Sequence, residues 1–209
     1  MPESSPSPAD LIYEVLNRKL FPLQSAYVQA RTGAALSMMA SLRRAPIDSP
    51  GLNPDLWSLT LPDLPEELVG RGDEPTRAEL SIHAALVLYA VHQQSRPTAM
   101  HQTGVPLGRA VAQLAISRGS QSEPDAGTIR KFHRTVTAEH RQSRLQELRS
   151  LMTLLRSAGI PLDHARLGVD LFRLEFPTSR DAVTLQWGRD LHRPPTAAES
   201  HAPTDTNPA

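Results

Sequence analysis

Between Leu80 and Val91 only Ser81 and His83 are polar, and a helix that is apolar on nearly every face is one that protein covers on several sides. Just upstream, after Pro75, Thr76 and Glu79 have the spacing of a capping box, in which each side chain satisfies a backbone N–H at a helix start. The spacing predicts a central core helix from about residue 77. His83 and the His92-Gln93-Gln94 run interrupt it too soon for a membrane span, which needs about 20 apolar residues. The rest of the chain must be arranged around this helix.

Pro106 fits the first position of a second helix, because its missing N–H is unused there. Leu107, Val111 and Leu114 recur at helical spacing on its inner side, with Arg109 off that stripe. No acid occurs between Ser81 and Arg118, so this helical pair presents a positive edge.

Elsewhere the patterning is also helical. Residues 1–8 read as a disordered leader. Leu11, Ile12, Val15 and Leu16 predict a short helix ending near Lys19, and Pro22 starts a longer one reaching Arg43-Arg44. Residues 46–75 hold six prolines and most of the eight acids between 45 and 80, an irregular insert with helical turns at 54–59 and 64–69 and Trp57 expected to plug the core.

Residues 119–127, GSQSEPDAG, read as a linker between lobes. Helices follow from about residue 124 or 128 and over 140–157. Gly159 serves as a left-handed cap, Pro161 as a restart, and Asp163 as the cap of a helix running to Pro177. The VTLQW alternation lies within 179–192, read as helix because a lone strand has no partner. Residues 194–209 read as a disordered tail. The expectation is an all-α protein, a helical bundle of about eight helices in two small lobes, 9–118 and 128–193.

Cysteine is absent, which removes disulfides and thiolate metal sites and fits a reducing cytoplasm. No signal peptide is visible at the start. Net charge is zero, but the charges are segregated: residues 18–44 carry five basic side chains and no acid, and 130–193 carry twelve against seven acids. Such segregation permits strong local fields.

Catalytic constellations are missing: no Gly-rich phosphate loop, no G-x-S-x-G, no H-E-x-x-H. His83, His92 and His101 are nine apart, which does not place them on one helix face, so neither metal nor cofactor is expected. With nine aromatic rings in all, most of them needed in a core, any nucleic acid would be held through its phosphates.

Several stretches carry a family resemblance: IHAALVLYAVHQQ, MHQTGVPLGRAVAQLA, IRKFHRTVTAEHRQSRLQELRSLMTLLRSAGIPLDHARLGVDLFRL, the closing LQWGRDLHR, LRRA at 42–45 and WSL at 57–59. Over roughly residues 8–193 the chain resembles CasB, the small subunit of the type I-E CRISPR surveillance complex Cascade. The resemblance implies a non-enzymatic helical protein, present in two copies in contact with each other. Its other partners would be the guide-bearing backbone subunits and the large subunit. It also implies a part in R-loop formation, holding the displaced single strand of DNA once guide RNA has paired with the target.

Nucleic-acid-binding positions are carried over where that family is basic: Arg43, Arg44, Arg109, Arg130, Lys131, Arg134, Arg149 and Arg156, with Arg141, Arg144 and Arg166 as second choices. By spacing alone, Arg149 and Arg156 project within about 20° of each other on one helix flank, while Arg43 and Arg44 equally suit the negative C-terminus of their helix. Two rivals stay open: a helical protein scaffold without nucleic acid, and a metal-dependent phosphohydrolase built on Asp163, His164 and Asp170.

Overall fold

The computed structural model describes residues 6–193; the expected tail, and all of the expected leader but its last three residues, lie outside them. Among the described residues there are nine α-helices, two short 3-10 turns and no strand, against an expected count of about eight. The segment containing VTLQW is helix, as expected.

Helix α1 (Pro8–Val28) starts inside the expected leader. Ser7 and Asp10 form its capping box, with Pro8 in the first turn. It also runs through Pro22 without stopping, which corrects the expected restart there. Leu20, Leu23 and Gln24 are buried on both sides of the proline, and that burial offsets the lost backbone bond, a cost of about 3 kcal/mol. Helix α2 (Gly33–Arg44) follows, capped by Thr32.

The insert is irregular, with a 3-10 turn at Pro54–Leu56, the one-turn α3 (Trp57–Thr60) and a second 3-10 turn at Glu66–Leu68. Trp57 does not plug the core. It is 47% exposed, and its indole N–H donates to the Gly51 carbonyl at 2.8 Å; Leu56 and Leu68 are the large apolar residues the insert buries.

Helix α4 (Arg77–Gln93) begins with the Thr76–Glu79 capping box and is buried from Ser81 to Gln93. It is apolar all round because two hydrophobic clusters share it. Ala84, Leu88 and Val91 face one cluster, with α5 (Leu107–Arg118), α6 (Ala126–Thr137), α7 (Arg141–Ala158) and α9 (Pro177–His192). Ile82, Ala85, Leu86, Tyr89 and Ala90 face the other, with α1 and α2. Helix α8 (His164–Leu174) contributes to both. Helix α5, assigned by sequence to the first lobe, packs on α9, α6 and α7.

Two glycines set close crossings. A Cβ on Gly168 of α8 would stand 2.2 Å from Leu16 Cδ1 and 3.2 Å from Ala85 Cβ, so a larger residue there would force the Leu16 side chain of α1 to shift. A Cβ on Gly108 of α5 would stand 2.3 Å from the Trp187 carbonyl of α9. At the end of α4, the Gln93 amide donates to the carbonyls of Arg96 and Thr98 and accepts from Met100 N–H. That buried side chain folds the following loop back on the helix.

Candidate nucleic-acid interface

Helix α7 organises the surface on which the expected basic residues fall. Its inward stripe is Leu145, Leu148, Leu151, Met152 and Leu155, all fully buried. Its outward face is Gln142, Ser143, Gln146, Ser150, Thr153 and Ser157, all exposed, a line of amides and hydroxyls without a charge. Glu147 and Arg149, about 200° apart at 3.6 residues per turn, mark the two flanks of this ridge.

On the Glu147 flank lies α6. Lys131 Nζ and Arg134 Nε share the Glu147 carboxylate at 3.3 and 3.4 Å, while Arg130, one residue back, is exposed and forms no ion pair among the described residues. On the opposite flank lies the end of α2, where Arg149 Nη2 donates to the Arg43 carbonyl at 2.7 Å. Arg44 beside it is exposed, and Arg43 Nη1 is buried with no hydrogen-bond partner. Both arginines also sit in the last turn of α2, where a cation offsets the helix dipole.

The remaining expected positions are engaged by other groups of the protein. Arg109 is 7% exposed, and its guanidinium donates to the Arg193 carbonyl just past α9. Sequence placed it on the solvent side of α5, whereas it is buried beside the end of α9. Arg144 is 4% exposed and donates to the Ala138 carbonyl; burial, with Arg180 adding repulsion, lowers its pKa. Of the expected positions these two are the most deeply buried.

Arg141 pairs with Glu175 at 2.6 Å and donates to the Leu80 carbonyl at 2.9 Å. Arg156 donates to Gln94 Oε1 at 2.5 Å and to the Val91 carbonyl at 3.4 Å, closing the end of α4. Arg166 lies 3.8 Å from the buried Asp190. Arg44 and Arg130 thus border the ridge exposed and outside any ion pair among the described residues, while Lys131 and Arg134 share Glu147 and Arg43 is half-buried. Sequence reasoning missed the uncharged ridge, although its signal is in the chain, where Gln142, Gln146, Ser150, Thr153 and Ser157 recur at spacings of three and four.

The metal-hydrolase residues are otherwise engaged. Asp163 accepts from Tyr13 O–H at 3.3 Å, from Gly104 N–H at 2.9 Å and, as cap of α8, from Arg166 N–H at 2.9 Å. Asp170 accepts from the Trp187 indole at 2.7 Å, and burial raises its carboxyl to about 6. His164 belongs to a buried histidine cluster. Its Nε2 lies 3.2 Å from His92 Nδ1, and its backbone N–H donates to His101 Nδ1 at 3.3 Å. Burial pushes His92 down to about 3 and His164 well below the usual value. His83 stands apart, bonded to the Pro46 carbonyl. Among the described residues no group of three or more His, Asp or Glu has the geometry to hold a metal ion, and no helix is long and apolar enough to cross a membrane.

This is a helical protein with a polar, base-flanked helix on its surface, and its relatives belong to the CRISPR systems. The family described as CRISPR-associated protein Cse2 matches residues 38–192, so the chain belongs to the Cse2 family, the CasB/Cse2 small subunits of Cascade. It is similar to the crystal structure of CasB from Thermobifida fusca, with 30% identity, a TM-score of 0.70, and coverage of 88% of this chain and 98% of that one. It shares the fold of a Cse2-family CRISPR-associated protein from Thermus thermophilus, with a TM-score of 0.59, 24% identity, and coverage of 90% and 99% of the two chains. No curated protein matches the chain.

Proposed function

We propose that this small subunit is non-catalytic and holds single-stranded nucleic acid along α7, stabilising the displaced DNA strand of the R-loop in a type I-E Cascade. The carrying observation is the acid-free outer face of α7, flanked by Arg43 and Arg44 on one side and by Arg130, Lys131 and Arg134 on the other. Amides and hydroxyls hydrogen-bond phosphate and sugar without demanding a sequence, and guanidinium groups fit phosphate in planar, two-pronged contacts. Exchange of a DNA duplex for a guide heteroduplex is nearly balanced in free energy, so a few such contacts tip it towards the open state. In this reading the partners are the backbone subunits with their guide RNA, the large subunit and a second copy of the chain.

Arg44 and Arg130 are the informative positions, because both are exposed and neither forms an ion pair among the described residues. In the assembled complex, single-strand affinity should fall with salt. For five phosphate contacts, the slope of log K against log salt is about −3.5, and the Arg44→Gln/Arg130→Gln pair should flatten it by about 1.4. A slope unchanged by the pair would refute the ridge.

One observation favours a protein-binding surface elsewhere. Leu52, Trp57, Leu61 and Val69 are exposed in the insert, amid Asp55, Asp63, Glu66 and Glu67. An apolar patch with acidic neighbours suits a basic subunit surface.

A further inference from the structure

At the far end of the α7 ridge, the chain leaving α4 makes a tight turn through Ser95, whose φ is +59°, and Arg96. The Arg96 guanidinium lies over the cap of α7, and a Cβ on Gly159 would stand 2.6 Å from its Nη2. One side of this turn opens a cavity of about 290 Å³ lined by Gln94, Ser95, Arg96, Arg156 and Ser157. Every one of these side chains carries a hydrogen-bond donor and none is acidic. On the other side a second cavity of about 270 Å³ shares Ser95 and Arg96 and adds Arg31 and the Tyr27 hydroxyl, again without a carboxylate.

Arg96 therefore borders both cavities, with Arg156 in the first and Arg31 in the second. Among the described residues none of the three forms an ion pair. Arg156 is partly neutralised by the Val91 carbonyl and the Gln94 amide oxygen. Arg96 Nε, by contrast, is buried with no hydrogen-bond acceptor, and an unsatisfied buried donor is a costly feature for a fold to keep.

We infer that the Ser95–Arg96 turn is an oxyanion pocket that takes a phosphate group. The chemistry is that of a fork of guanidinium N–H groups with hydroxyls to complete the shell. Two sources carry such a group: a phosphodiester of a strand running off the ridge at Ser157, or a free phosphate monoester. The pocket stands on its own walls and does not depend on the strand reading.

The test is a titration of inorganic phosphate into the full chain at low ionic strength, followed by backbone amide shifts. Saturating shifts are expected at Ser95, Arg96 and Ser157. Ser95→Asp adds a carboxylate to the lining that Ser95 shares with Arg96, at a φ that aspartate tolerates, and it should weaken binding at least tenfold, as should Arg96→Gln. A melting curve for each variant establishes that it is folded. The Arg44→Gln/Arg130→Gln protein should bind phosphate unchanged, which separates a failure of this pocket from a failure of the ridge. Competition between phosphate and a single-stranded oligothymidylate assigns the pocket to a strand phosphate; phosphate binding without competition assigns it to a free ester. Absence of saturating shifts in the wild type, or equal phosphate affinity in Ser95→Asp, overturns the proposal.

Discussion

Arg149 of α7 donates its Nη2 to the main-chain carbonyl of Arg43, 2.7 Å away and 106 residues earlier in the chain. The acceptor lies in the last turn of α2, where four carbonyls lack intrahelical partners. Arg149 therefore ties two helices together as well as bordering the ridge.

The exchange Arg149→Gln should cost about 1–2 kcal/mol, the range for losing a charged donor to a partly buried carbonyl. Arg130→Gln should stay within about 0.5 kcal/mol. Urea midpoints of the two variants measure the difference. Equal midpoints would mean that Arg149 has no structural part.

Two glycines, one in α5 and one in α9, should respond with opposite signs. Gly108→Ala drives a Cβ into the Trp187 carbonyl at 2.3 Å and the Leu191 nitrogen at 2.9 Å. Backbone cannot yield as a side-chain tip can, so the variant should lose about 3 kcal/mol or more, or fail to fold. Gly188→Ala, within α9 with nothing inside 4 Å of the new Cβ, should gain about 0.5–1 kcal/mol. Thermal melts of the pair test the α5–α9 crossing directly.

The buried histidines make stability depend on acid. His92, His101 and His164 have lowered pKa values, mainly through burial, so between those values and about 6.5 the unfolded chain binds more protons than the folded one. Their contribution is complete above about pH 6.5 and is lost as pH falls towards the folded values, at up to about 1.4 kcal/mol per pH unit for each proton. Asp170, raised to about 6, works in the opposite direction. It is present in both proteins when wild type is compared with His164→Asn, so its term cancels. The variant should lose less stability between about pH 7 and pH 5 than the wild type does. Parallel pH profiles would show that His164 is not the group responsible.

The two tryptophans should separate in fluorescence. Trp57 is half exposed, and Trp187 is 1% exposed with its N–H bonded to Asp170. In Trp57→Phe the remaining emission should be blue-shifted and nearly immune to acrylamide. Strong quenching in that variant would place Trp187 at the surface.

Local signals were legible in the chain itself. Thr76 with Glu79, Gly159 at φ +70°, and Asp163 bonded to Arg166 N–H act where sequence placed them, because each cap involves residues three or four apart. The apolar run of α4 was equally plain, since being covered on all sides leaves no polar stripe. What could not be read was decided by burial and by contacts outside the helical repeat. Pro22 sits inside a helix because its neighbours are buried, and Trp57 turns outward because Gly51 holds its indole. Arg109 and Arg144 are hidden by carbonyls of Arg193 and Ala138. An arginine bound for phosphate and one bound for a helix end look the same in a sequence.

Because α4 lends opposite sides to both hydrophobic clusters, neither half of the molecule can swing without uncovering it. Arg44 is anchored through α2 to one cluster and Arg130 through α6 to the other, so the span between them is set by the interior and not by loops. A strand bound as proposed across α7 would meet borders whose spacing is built into the packed helices.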